Sequence, residues 1–241
     1  TAPLSLSHFR PKLSVTGFVA KLGTANFFNQ IAMMIVQIVM NKSLTYYGSQ
    51  SVYGESIPLA CAGIITKVGM VFFSICIGLS QGMQPIVSFN YGAGNYKKVK
   101  QAYRLAAGIG TIISVIAFFA FQIFPRQLIG IFGSSQNEAY YTFAVRYFRI
   151  YMFFTFLNAI QPISSNFFTA IGKPGKGIFL SLTRQIIFLL PLIVIFPLFL
   201  GVDGIMYAGP IADFIAAMVS MILIYKEFGK INKLEEATCE S

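Results

Sequence analysis

The sequence predicts an all-α, polytopic membrane protein, because its 241 residues are 56% hydrophobic and only 11% charged, with a mean hydropathy of +0.69. Soluble domains carry about 25% charged residues, so too little polar surface is available to coat a water-soluble globule. A second observation is a series of long intervals with one charge or none, each near the roughly 20 apolar residues that cross about 30 Å of hydrocarbon. The third is a one-sided distribution of basic residues, which assigns the +10 net charge to topology rather than to a nucleic-acid groove.

Six intervals qualify, taken in chain order. Residues 22–41, 105–125 and 150–172 are uncharged and give the first, third and fourth expected spans. The second, 58–80, contains Lys67; the fifth, 178–200, contains Arg184; the sixth, 205–225, contains Asp213. Together they define a six-helix transmembrane lobe over 17–228, preceded by a linker at 1–16 and followed by a charged tail at 229–241. The N-terminal stretch has Pro3 and Pro11 and lacks the apolar core and cleavage site of a signal peptide. A linker start without Met, followed by six spans, is expected of one piece of a larger protein; processing would look the same.

Six crossings put both ends on one face. Arg10, Lys12, Lys21, Lys97, Lys98, Lys100, Arg104, Lys173, Lys176, Lys226, Lys230 and Lys233 fall on that face; Lys42, Arg126, Arg146 and Arg149 fall on or near the other. By the positive-inside rule both termini are expected in the cytoplasm, the protein in the cell (inner) membrane, and anionic head groups of the lipid bilayer as partners of the basic clusters.

Polar residues inside the expected spans are costly and therefore informative. Asn26, Gln30 and Gln37 fall within about 40° of one another on the first helix, and Asn158, Gln161, Ser165 and Thr169 form a stripe on the fourth, where Pro162 predicts a kink. Two readings stay open, interhelical hydrogen bonding or a shared aqueous cavity. Lys67 and Asp213 lie ~13 and ~12 Å from the outer ends of their helices, close enough to meet near the midplane, as a structural ion pair or as a substrate or cation site. Arg184 lies ~9 Å from the cytoplasmic side, where snorkelling to head groups makes it an interface or packing residue. Gly78 and Gly82 have the spacing of a close helix approach.

Enzymatic patterns are thin. The single histidine, His8, is in the linker, the three cysteines are scattered, and no HExxH, CxxC, GxSxG or Walker A sequence occurs. Neither catalysis nor a metal or other cofactor is expected, and no nucleic-acid partner is implied.

Between the second and third spans, Gln81-Gly82-Met83-Gln84-Pro85-Ile86-Val87-Ser88-Phe89-Asn90-Tyr91-Gly92-Ala93-Gly94, followed by Lys97, Lys98, Val99 and Lys100, resembles the signature of multidrug and toxic compound extrusion (MATE) transporters. Ala170-Ile171-Gly172-Lys173-Pro174 and the run from Gly201 to Pro210 agree with it. The resemblance covers nearly the whole chain and matches the second six-helix half of a twelve-helix family. It implies an antiporter that exports cationic amphipathic compounds in exchange for sodium ions or protons, by alternating access between this lobe and an N-terminal six-helix partner. Under it, Asn26, Gln30, Gln37, Lys67, Asn158, Gln161, Ser165 and Asp213 are the candidate cavity residues. Gln81, Gly82, Pro85, Asn90, Tyr91, Gly92 and Ala93 are motif residues, with a sharp elbow expected over 90–94. The first and fourth helices would line the cavity, yet neither holds the Asp or Glu that some members use for coupling. The alternatives are a lipid-linked oligosaccharide flippase of the same superfamily, whose pyrophosphate substrate calls for a more cationic cavity, and a non-transporting half-protein.

Overall fold

The computed structural model describes residues 13–132 and 138–239. Among them the chain is helical, with no strand: α1 (Leu13–Ser49), α2 (Ser56–Gly92), α3 (Tyr96–Ile123), α4 (Pro125–Phe132), α5 (Glu138–Tyr151), α6 (Ile160–Ala170), α7 (Pro174–Leu182), α8 (Leu190–Leu200) and α9 (Val202–Cys239). Four stretches are long and apolar enough to cross a membrane: Ser56–Gly92, Tyr96–Ile123, Pro174–Leu200 and Val202–Glu236. They correspond to the second, third, fifth and sixth expected spans.

The fourth expected span is broken. α5 ends at Tyr151, a 3-10 turn occupies Thr155–Leu157, and α6 begins only at Ile160. Tight bonds cause the break: Phe153, Thr155, Leu157 and Asn158 each donate to the carbonyl three residues back, and Thr155 Oγ1 also bonds Met152 O at 2.7 Å. Pro162, lacking an N–H, leaves the Asn158 carbonyl without its helical donor. The kink expected at Pro162 therefore lies upstream of it.

The fifth span is also irregular. Thr183–Leu189, between α7 and α8, winds as a π segment. Pro191 cannot donate to Ile187, and the Leu190 N–H reaches back five residues to Gln185 O. Insertions of this kind often mark functional positions.

Two glycine turns close one end of the lobe. Gly94 (φ 72°) and Gly172 (φ 75°) adopt the left-handed conformation that side chains disfavour. Asn95 N bonds Asn90 O at 2.8 Å and Lys173 N bonds Phe168 O at 2.8 Å, with Gly94 N to Tyr91 O and Gly172 N to Thr169 O inside them. Both are Schellman motifs. The elbow is thus shorter than expected, since Gln81, Gly82, Pro85, Asn90, Tyr91 and Gly92 all remain within α2 and only Ala93 and Gly94 turn. Ser88 Oγ bonds Ala170 O at 2.8 Å and ties the two turns together.

Packing depends on glycines where helices approach closely. A Cβ on Gly110 of α3 would lie 2.7 Å from Ile163 Cδ1 and 3.1 Å from Ala159 Cβ; on Gly204 of α9 it would lie 2.5 Å from the Phe196 backbone. A Cβ on Gly78 or Gly82 would meet nothing within 4 Å, so the approach suggested by that pair is not made among the described residues. α9 touches α1, α3, α5, α6, α7 and α8, and Ile205, Met206, Ala208 and Ala212 along it are fully covered. The largest fully buried side chains are aromatic, namely Phe143, Tyr147, Phe148, Phe167 and Phe168, packed among aliphatic residues.

Candidate functional site

The two irregular spans converge on Asp213. Gly201 (φ 59°) ends α8 and turns the chain into α9, and Asp213 follows ~17 Å along α9. Arg184, within the π segment, places Nε and Nη2 each 2.6 Å from Asp213 Oδ1. Asn158, at the end of the 3-10 turn, donates from Nδ2 to Asp213 Oδ2 at 2.9 Å. The carboxylate side chain is 5% exposed and that of the arginine 17%. The Phe73 ring of α2 covers the guanidinium at 5.4 Å. A buried carboxylate whose two oxygens are both satisfied, one by a cation, is the arrangement that makes a charge tolerable away from water.

Lys67 is not Asp213's partner. It is exposed on α2, whereas Arg184 fills the role expected of it. The helix containing Arg184 starts at Pro174 rather than 178, which sets the residue ~15 Å along it, and its side chain turns inward onto Asp213 rather than out to head groups. Depth counting from hydropathy edges missed the pair because charged and glycine-rich flanks, here Lys173 to Lys176, do not register as apolar.

The stripe on the fourth span divides by function. Asn158 turns to Asp213, while Gln161 donates to Leu180 O at 3.4 Å and Ser165 to Gly177 O at 2.8 Å, with Ser165 Oγ also 3.1 Å from Ser181 Oγ. Gln161 and Ser165 thus join α6 to α7, and Gly177 permits the approach, since a Cβ there would lie 2.6 Å from Ser165 O.

α1 and α2 present a different surface. Gln30 and Gln37 are exposed, with Gln37 donating to Asn41 Oδ1 at 3.3 Å, and Met33 and Met34 flank them at 45% and 66% exposure. The side chain of Asn26 lies outside the described residues. On α2, Lys67, Met70, Val71 and Ser74 form one exposed stripe at helical spacing.

At the end closed by the Gly94 and Gly172 turns, Glu227 of α9 is fully buried and accepts from both Lys173 and Lys176. Lys176 also stands 5.3 Å over the Phe168 ring. The Glu227 carboxylate raises the Lys173 ammonium pKa above its ordinary value through their hydrogen bond. Lys100 bonds Glu235 at 2.6 Å and Asn232 at 2.8 Å. Glu227 lies just beyond the sixth expected span and far in sequence from Lys173 and Lys176, and only the fold brings the two lysines onto it.

The family model described as MatE matches residues 25–195. Multidrug export protein MepA of Staphylococcus saprophyticus is 26% identical over 224 residues, covering 92% of this chain and 47% of the relative; MepA of Staphylococcus aureus is 24% identical over 218 residues, covering 90% and 46%. A solved MATE-family multidrug resistance transporter of the MOP superfamily, in an outward-facing conformation, superposes with TM-score 0.83 at 19% identity over 95% of this chain and 50% of that one. A MOP-superfamily transporter from Pyrococcus furiosus, described as having a binding pocket of reverse polarity, gives TM-score 0.83 at 18% identity over the same shares. The chain spans about half the length of the relatives it matches.

Proposed function

The chain belongs to the MatE family, and from that premise we propose that it forms the C-terminal lobe of a secondary antiporter exporting cationic amphipathic compounds in exchange for sodium ions or protons. The observation that carries this reading is the exposed face of α1 and α2. A lysine within hydrocarbon costs at least ~2.5 kcal/mol on insertion scales, so Lys67 is better accommodated against water or a second lobe than against lipid, and the amides of Gln30 and Gln37 favour the same surroundings. Exposed Met33, Met34 and Met70 add adaptable apolar surface, suited to ligands of varied shape. With both termini cytoplasmic, the basic end closed by Gly94 and Gly172 faces the cytoplasm.

Asp213 is assigned a structural role in this scheme. A coupling cation would have to displace a guanidinium held by a hydrogen bond and an ion-pair contact, each 2.6 Å, so coupling is placed in the N-terminal lobe. A population shift between two lobe arrangements then needs only that the ion bind one of them better.

One observation favours a second reading. Lys67 opposes a cationic ligand and suits an anionic one, as in a lipid-linked oligosaccharide flippase, and a relative described as having a pocket of reverse polarity superposes as well as the outward-facing multidrug transporter does. The test is ethidium efflux from cells expressing the complete reading frame, with ATP depleted and sodium and proton gradients imposed separately. Gradient-dependent export supports the antiporter and identifies its ion. Absence of export under either gradient, with the protein present in the membrane, moves the assignment to the flippase or to an inactive half.

A further inference from the structure

At the end of the lobe opposite the Lys173–Glu227 contact, three of the four basic residues expected on that face converge on one groove. Arg126 of α4 and Arg146 and Arg149 of α5 line a cavity of about 680 Å³. Arg126 stands 5.1 Å over the Tyr141 ring and has a long contact to Glu138 at 3.9 Å, and Arg146 pairs with Asp203 at 2.9 Å. Arg149 is exposed and has no carboxylate within salt-bridge range among the described residues. Basic side chains are sparse on this face of the sequence, so their collection in one place is not an accident of a generally basic surface. Apolar side chains share the lining: Val145 and Ile150 lie beside the arginines on α5, and Ile123, 60% exposed at the end of α3, lines the same groove.

We propose that this groove binds an anionic phospholipid, its phosphodiester held by Arg149 and Arg126 and an acyl chain lying along Ile123, Val145 and Ile150. Guanidinium forks suit phosphate oxygens, and the adjoining apolar lining is what separates a lipid from a free anion. The site is distinct from the α1/α2 face and does not depend on which compound is exported.

Native mass spectrometry of the purified complete protein tests this, with phosphatidylglycerol, phosphatidylcholine of the same acyl chains, and glycerol phosphate as probes. Phosphatidylglycerol is expected to be retained in preference to phosphatidylcholine and not to be displaced by glycerol phosphate. Arg126→Gln with Arg149→Gln should cost one retained phosphatidylglycerol, a loss of roughly 30-fold in affinity for two head-group arginines, and leave phosphatidylcholine retention unchanged. Lys97→Gln with Lys98→Gln, at the other end, should keep the preference. The proposal fails if the double arginine variant retains as much phosphatidylglycerol as the parent, if the lysine variant loses it instead, if the two lipids bind equally, or if glycerol phosphate displaces the lipid. Should the double variant not be recovered monodisperse, Arg149→Gln alone is decisive, with a roughly fivefold loss expected and an unchanged affinity overturning the site.

Discussion

Arg184 directs two nitrogens at a single oxygen of Asp213, each at 2.6 Å, and leaves the other oxygen to Asn158. One carboxylate thereby fastens the π segment, the 3-10 turn before α6, and α9. Both irregular segments free the residues that reach it: the π segment contains Arg184, and the 3-10 turn ends at Asn158. Breaking a buried pair from one side leaves an uncompensated charge and costs about 3–5 kcal/mol. Asp213→Ala and Arg184→Ala are each expected to lower the thermal midpoint of the detergent-solubilised protein sharply. Arg184→Met with Asp213→Leu should recover most of it, because an apolar pair of similar volume needs no desolvation. Export should survive in this double variant if coupling lies in the second lobe; a stable double variant that cannot export would instead make Asp213 a coupling residue.

Glu227 carries the counterpart at the end closed by the Gly94 and Gly172 turns. Its side chain is 0% exposed and contacts two lysines whose side chains are 36–37% exposed. The asymmetry sets the ranking of variants. Losing Lys173 or Lys176 leaves one partner and a cation that can reach solvent, so each single Lys→Met change is expected to be mild, about 1 kcal/mol or less. Glu227→Ala frees both exposed lysines but opens a void beneath the turn, about 2 kcal/mol by the scale of buried truncations. Thermal midpoints measured side by side check the order, and a Lys173→Met midpoint below that of Glu227→Ala would contradict it.

Much of this architecture was legible in the sequence, for identifiable reasons. Hydropathy located α2, α3, the α7–α8 span and α9 because each is a continuous apolar run, and Gly94 and Gly172 announced their turns because few residues other than glycine adopt positive φ. The spacing of Asn158, Gln161 and Ser165 correctly marked a polar stripe on the fourth span. It could not reveal that the stripe serves two neighbours, since that depends on a local unwinding between Tyr151 and Ile160. Arg184 was misjudged because the count began at 178, inside the helix that starts at Pro174, and because counting carries no azimuth, which a π segment changes for everything before it.

Gly209 and Tyr151 make a close contact that neither hydropathy nor motif discloses. A Cβ on Gly209 would stand 2.4 Å from the Tyr151 ring, at the point where α5 ends against α9. Gly209→Ala is expected to destabilise the lobe by about 1–3 kcal/mol through overpacking. Adding Tyr151→Leu should return at least half of that loss, because the shorter side chain vacates the contested space. Equal midpoints for Gly209→Ala and the parent, or no rescue by the second change, would show that the ring gives way freely.

The exposed stripe on α2 yields the most direct test of where water enters. Cys61 and Cys76 are buried, so a single cysteine placed on a background with Cys239→Ser can be followed with a membrane-impermeant thiol reagent. Lys67→Cys and Gln37→Cys are expected to react in intact or inverted vesicles of the complete protein, since an ammonium and an amide at these positions are far less costly beside water than beside acyl chains. Ile112→Cys on α3, where the native side chain is 62% exposed on an apolar helix, supplies the lipid-facing reference and should stay unlabelled. If Lys67→Cys labels no faster than Ile112→Cys under either membrane orientation, the α1 and α2 face is covered by lipid or by protein, and the aqueous cavity must be sought elsewhere in the transporter. Protection of Lys67→Cys by ethidium would further place the exported compound on this face; faster labelling that ethidium leaves unchanged would make the face a water path without a drug site.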